Sequence, residues 1–256
     1  MKASVVRPIG GAIFLMASFA LAAMIPCIAN ADAASEDREI VAYVAAEGES
    51  SRLAALEPGA LDAAHGHVKR AGPILTFDLP DGPEGVRLED RTECKSVTRS
   101  SDCQQFFLVA ALPSRHSYIV VEGHYEGTDY ILIDDRTGKG LVFPGPPQFA
   151  PRGDLILILS NNQLAKGPAI EIWERDAEGG AMPELIHRVS GKEAAATDRR
   201  AEANTPPQAM KLVRWAGDRI DLAMRYPAIY GRKPFTLRAK VERTDGAWQF
   251  AVIKPK

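Results

Sequence analysis

The sequence is poor in several things at once. Only 3 cysteines occur in 256 residues, aromatic side chains make up 7%, and 31 lysines and arginines stand against 33 aspartates and glutamates. So few cysteines exclude a small disulfide-stapled scaffold. The near balance of charge removes the electrostatic footprint of a basic nucleic-acid binder. Beyond Ile25 there is no apolar run long enough for a membrane span, which excludes a multi-pass membrane protein. The signatures G-x-S-x-G, S-x-x-K, G-x-x-x-x-G-K-[ST] and G-x-G-x-x-G are all missing, so no strained serine elbow and no glycine-rich phosphate cradle is encoded. What remains, 46% hydrophobic and 25% charged residues, suits a globular chain and excludes a disordered or collagen-like one.

The N-terminus carries the clearest signal. Lys2 and Arg7 form a positive start, Ile9 to Ile25 is uncharged and apolar, Pro26 breaks the run, and Ala29-Asn30-Ala31 offers small residues at a cleavage position. This order reads as a signal peptide over residues 1–31, too short for a stable span. The expectation is an exported protein, periplasmic or secreted, with no membrane span after cleavage. Removing 31 of the 256 residues leaves 225, and losing Lys2 and Arg7 moves the formal charge from −2 to −4.

Export gives the cysteines meaning. The mature chain keeps Cys94 and Cys103, with Lys95 to Asp102 between them mostly Ser, Thr and charged. In an oxidising compartment a pair so close across a polar loop is expected to form a disulfide, whose ring entropy is worth about 2.5–3 kcal/mol. Neither has a nearby histidine for a metal site, and a redox pair is usually spaced C-x-x-C.

Residues 32–70 read as a partly helical or irregular lead-in, in which Glu57-Pro58-Gly59 should stop any helix. Residues 71–256 read as one all-β domain. Ile74–Leu79 and Val86–Asp90 form a hairpin across Pro80-Asp81-Gly82, and strands follow at 105–110, 118–122, 129–134, 155–160 and 169–174. An excursion loop occupies 191–210, after which strands return at 212–215, 219–224, 235–241 and 248–253, the last two joined by Asp245-Gly246.

One stretch has a familiar order. Tyr130-Ile131-Leu132-Ile133-Asp134 leads to Thr137-Gly138-Lys139, then Pro147-Gln148-Phe149-Ala150-Pro151-Arg152-Gly153-Asp154, an apolar strand Leu155–Ser160, and Ile170-Glu171-Ile172-Trp173. Residues 130–176 thus resemble the blade repeat of TolB-type and WD-repeat β-propellers, with Ala150 where the pattern has Ser and Arg152 where it has Asp. The resemblance implies a compact, propeller-like antiparallel meander of four or five divergent blades, with a sandwich or barrel as the alternative. It also implies a binding platform or scaffold, although the same fold also carries enzymes and does not set function.

Residues that could carry chemistry are scattered. His65-Gly66-His67 could hold a metal, but it lies in the lead-in with no third ligand. His116, His124, Glu126 and Asp129 flank one strand and are the best candidates for a general acid–base group. Asp134, Asp135 and Asp154 could coordinate calcium, though Asp is also the ordinary turn residue. Trp173, Trp215, Trp248, Phe77, Phe107, Phe149 and Phe250 fall on strands and are expected in the core. Arg199-Arg200 and Arg232-Lys233 could meet an acidic partner. The expectation is an exported, non-enzymatic β-domain that binds an envelope protein or small ligand, with no cofactor and no nucleic acid. The alternative is a secreted hydrolase whose site is assembled from loops.

Overall fold

The structure is a computed structural model, and it describes residues 50–79, 85–92, 103–124, 127–160, 169–176, 182–190, 206–228 and 233–253. The leader, most of the 191–210 loop, Cys94, Glu126, Arg199, Arg200 and Arg232 lie outside these residues. Among the described residues no helix is long and apolar enough to cross a membrane.

The chain is all-β and antiparallel, and the strands of its described residues fall into four sheets consecutive in sequence. Sheet I holds β1 (Val68–Ala71), β2 (Ile74–Phe77) and β3 (Arg87–Glu89). Sheet II holds β4 (Arg91–Thr92), β5 (Cys103–Leu112), β6 (Ser117–His124), β7 (Gly127–Asp134) and β8 (Gly140–Phe143). Sheet III holds β9 (Pro147–Phe149), β10 (Leu155–Ser160), β11 (Ala169–Glu174) and β12 (Glu184–Ser190), and sheet IV holds β13 (Ala209–Trp215), β14 (Arg219–Tyr226), β15 (Phe235–Thr244) and β16 (Ala247–Ile253). Within each sheet every strand pairs with its sequence neighbour, so each is a meander. The expected hairpin of β2 with β3 forms, Leu75 opposite Leu88. The Asp245-Gly246 turn has both residues at positive φ, 52° and 81°, as the two-residue loop between Thr244 and Ala247 requires.

Burial explains the strand composition. Sheets II and III are covered on both faces, so their strands read as unbroken apolar runs: all of Leu155–Ser160 is buried. Alternate residues of β10 serve two cores. Ile156 and Ile158 join Leu53, Val109, Ile119, Tyr130 and Phe149 between sheets II and III. Leu155, Leu157 and Leu159 join Ile172, Leu222, Met224 and Val241 between sheets III and IV. A third core packs Ala60, Ala64, Leu75 and Phe77 against Leu108, Val120 and Ile133 of sheet II. Sheet IV is covered on one face only, and β15 alternates accordingly. Of the aromatics expected inside, Phe77, Phe149 and Trp248 are buried, and Phe107, Trp173, Trp215 and Phe250 pack half-buried against the cores.

Three sequence expectations need correction. The helix α1 (Ser50–Ala63) does not stop at Glu57-Pro58-Gly59 but runs through Pro58. A mid-helix proline removes one backbone hydrogen bond, and tertiary contacts offset it: Leu53 and Ala60 are buried, and Glu57 is clamped. The clamp is Arg70, which donates to Glu57 Oε1 at 2.7 Å, to Asp90 Oδ2 at 3.1 Å and to the Phe106 carbonyl. Glu57 Oε1 also accepts from Leu108 N at 3.0 Å, and Asp90 Oδ1 from Phe106 N at 2.9 Å. One guanidinium thereby ties α1, sheet I and sheet II. Second, strand structure begins at Val68, three residues before the expected domain start. Third, β8, β9 and β12 lie in stretches to which the sequence assigns no strand, and β13 starts at Ala209, inside the expected 191–210 loop. Pro147 has no N–H to donate, which suits β9 as an edge strand, and β12 is an edge whose Glu184, Leu185 and Arg188 face solvent.

Candidate functional site

The clearest polar concentration lies where sheets II and III meet, at the ends of β6, β7 and β11. Before β6 a 3-10 turn, Pro113–Arg115, ends at His116, whose positive φ of 47° redirects the chain. The His116 carbonyl then accepts from Asp135 N at 3.2 Å, joining this turn to the one after β7. That second turn is built by Asp134, whose Oδ1 accepts from Arg136 N (3.2 Å), Thr137 N (2.8 Å) and Thr137 Oγ1 (2.8 Å). Gly138 supplies the φ of +68° the turn needs, and a Cβ there would lie 2.5 Å from the Leu79 side chain.

Sheet III contributes Arg175, just beyond β11. Its guanidinium donates to Ser117 Oγ at 2.9 Å and to the Arg115 carbonyl at 2.7 Å, crossing from one sheet to the other. Ser117 Oγ itself donates to the Arg115 carbonyl at 2.7 Å. Arg115 and Arg175 are both buried, and their guanidinium carbons lie 5.6 and 5.8 Å from the Phe149 ring centre, within cation–π range. Burial lowers the Arg175 pKa, with Arg136 and Arg115 pressing the same way and Asp134 and Asp135 opposing. Burial raises the Asp135 carboxyl against the pull of His116, whose Nδ1 is 3.3 Å from Asp135 Oδ1. Burial, then Asp135, pushes Tyr118 up to about 12.

Arg136 completes the cluster. Its Nε and Nη2 are buried and have no hydrogen-bond partner among the described residues. These two nitrogens form one edge of the guanidinium, a fork of two parallel N–H donors. Beside the cluster a shallow depression is lined by Ser117, Leu132, Asp134, Arg175, Met182 and Pro183. Its floor has room for about one water-sized group.

The residues singled out from sequence are distributed differently. His116 and His124 stand at opposite ends of β6, roughly 26 Å apart at strand rise. His124 pairs with Asp129 at 3.3 Å and His116 with Asp135, so the expected acid–base group is two separate pairs. His65 and His67 are exposed in the turn after α1, and among the described residues no group of three His, Cys, Asp or Glu is placed to hold a metal. Asp134 and Asp135 do join the cluster, but beside arginines. Lys233 is exposed.

Cys103 opens β5 opposite Thr92. Only two residues of chain, at most about 7 Å, lead from Thr92 to Cys94, so the chain is able to bring Cys94 within disulfide reach of Cys103. We propose that this bond forms. The protein is then expected to resist alkylation until reduced, and Cys103→Ser to lower Tm. Two alkylated thiols in the unreduced, unleadered protein would refute it.

Nothing in the sequence marked Arg115, Arg136 and Arg175. Each lies one to three residues beyond a strand end, and only the stacking of sheet II on sheet III brings them together. No protein-family model, curated protein or solved structure matches the chain.

Proposed function

We propose that the chain is an exported, non-enzymatic β-sheet module that binds a small carboxylate-bearing ligand at the junction of sheets II and III. The observation that carries this is the unpartnered edge of Arg136. Buried donors without an acceptor are rare and costly, at about 1–3 kcal/mol per group. Nε and Nη2 together match the two oxygens of one carboxylate, the strongest neutral-pH arrangement open to arginine. Arg175 adds a second positive charge in low dielectric, at the wall of the depression. Arg136 does not itself line that depression, whose floor admits about one water-sized group, so the ligand's carboxylate reaches the arginine edge from the rim and the rest of the ligand stays outside. The consecutive meanders and the 130–176 resemblance support a propeller-like scaffold: β7 and β8 close sheet II, and β9–β11 open sheet III, so that stretch straddles two sheets as blade repeats do.

Isothermal titration with succinate, with acetate as the one-headed comparison, tests the reading. The wild-type protein is expected to bind succinate at one site, and Arg136→Ala to lose at least tenfold in affinity while keeping its Tm within a few degrees. Equal affinity in wild type and Arg136→Ala, or no heat from either probe at tens of millimolar, would remove the proposal.

A further inference from the structure

Sheet IV presents its second face to solvent, and that face is strongly basic. Strand alternation and register put Lys211, Arg214, Arg219, Arg225, Arg238 and Lys240 on it, against Asp221 and Glu242. The whole chain is slightly acidic, so this face is a local reversal of sign.

The cations divide into two groups. At one end Arg214 and Arg219 each donate to Asp221 at 2.7 Å, and Lys240 pairs with Glu242. Burial disfavours the Asp221 anion, but the two arginine hydrogen bonds outweigh it and hold its carboxyl below the usual range. That end is largely neutralised, each of its three cations being paired with one of two carboxylates. At the other end Lys211, Arg225 and Arg238 have no carboxylate partner among the described residues.

Register places these three around a small floor. Lys211 on β13 and Arg238 on β15 are the direct neighbours of Ala223 on β14. Their Cα atoms are therefore about 10 Å apart, with Ala223 midway. Arg225 lies two residues along β14, about 7 Å from Ala223, and its own neighbours are Ala209 and Thr236. Three long cationic side chains thus flank Ala223 on three sides, with Ala209 and the hydroxyl-bearing Thr236 on either side of Arg225. A planar carboxylate offers two oxygens in one direction. A tetrahedral oxyanion offers oxygens in three, as this ring of donors does.

We infer that Lys211, Arg225 and Arg238, over Ala223, form a site for a phosphate group, distinct from the carboxylate site at the II–III junction. The group can be free phosphate or the headgroup of an anionic lipid; both present the same oxygens to the same three cations.

The experiment uses the whole mature protein with two probes, inorganic phosphate and vesicles of phosphatidylglycerol in phosphatidylcholine, with pure phosphatidylcholine vesicles as the blank. Amide shifts are followed for phosphate and co-sedimentation for vesicles, at two salt concentrations. Free phosphate as the ligand predicts saturable shifts at Ala223 and Thr236. A headgroup ligand predicts sedimentation with anionic vesicles only, falling steeply with salt. In either case Arg225→Ala with Arg238→Ala should cut binding at least tenfold, while Arg214→Ala and Arg136→Ala should leave it within twofold. The double variant must keep the wild-type Tm, since both side chains are exposed. Binding of neither probe, or binding unchanged in the double variant, would overturn the inference. Loss of succinate binding in Arg136→Ala with phosphate binding intact would separate the two sites.

Discussion

Arg70→Ala should lower the midpoint of thermal unfolding by roughly 6–12 °C. The residue is 17% exposed and is the shared partner of Glu57 and Asp90, themselves 15% and 17% exposed. Removing one member of such a group strands the others, at a cost of about 3 kcal/mol. At the size of this chain each kcal/mol moves Tm by about 2–4 °C. The loss is amplified because the two carboxylates also hold Leu108 N and Phe106 N, so α1 and β3 both lose their anchor on β5. Arg70→Lys should recover little, because an ammonium cannot serve two carboxylates and a carbonyl with one planar fork. Calorimetry of the three proteins checks this, and a Tm unchanged in Arg70→Ala would show that the helix does not depend on the clamp.

Arg175 should behave in the opposite way. Its charge is buried, and burial works against it, so it costs stability to keep. Arg175→Ala leaves a cavity beside Phe149 and loses both hydrogen bonds to the 115–117 turn, and should cost about 2–4 kcal/mol. Arg175→Met fills the space without the charge and should restore most of that loss, as replacement of buried ionic groups by apolar ones often does. Neither variant should bind succinate with more than about one-tenth of the wild-type affinity, a change of about 1.4 kcal/mol or more. Stability recovered without binding in Arg175→Met would mean that the arginine is retained for its charge. Binding recovered along with stability would mean that it only fills space.

How much of this was legible in sequence follows from the range of the interactions. Strands such as Leu155–Ser160 and Ala169–Glu174 announce themselves because both faces are buried and the apolar run is unbroken. The turns at Gly138, Gly153 and Asp245-Gly246 are equally local, since each needs positive φ. The edge strands β9 and β12 were hidden because an edge tolerates proline and charge. The helix through Pro58 was hidden because its support comes from Arg70, 12 residues further on, and from Leu108, 50 residues away. The arginine cluster was hidden for the same reason: Arg115 and Arg175 are 60 residues apart and meet only when two sheets stack. The basic face of sheet IV was written in the alternation of β14 and β15, but the balanced charge of the whole chain masks it.

The measurement closest to the central claim is a map of backbone amide shifts on titrating the protein with succinate. A carboxylate gripped by Arg136 predicts saturating shifts at Ser117, at Asp134 to Thr137 and at Arg175, with sheet IV silent. Shifts absent from those residues, or centred on Ala223 and Thr236 instead, would contradict it.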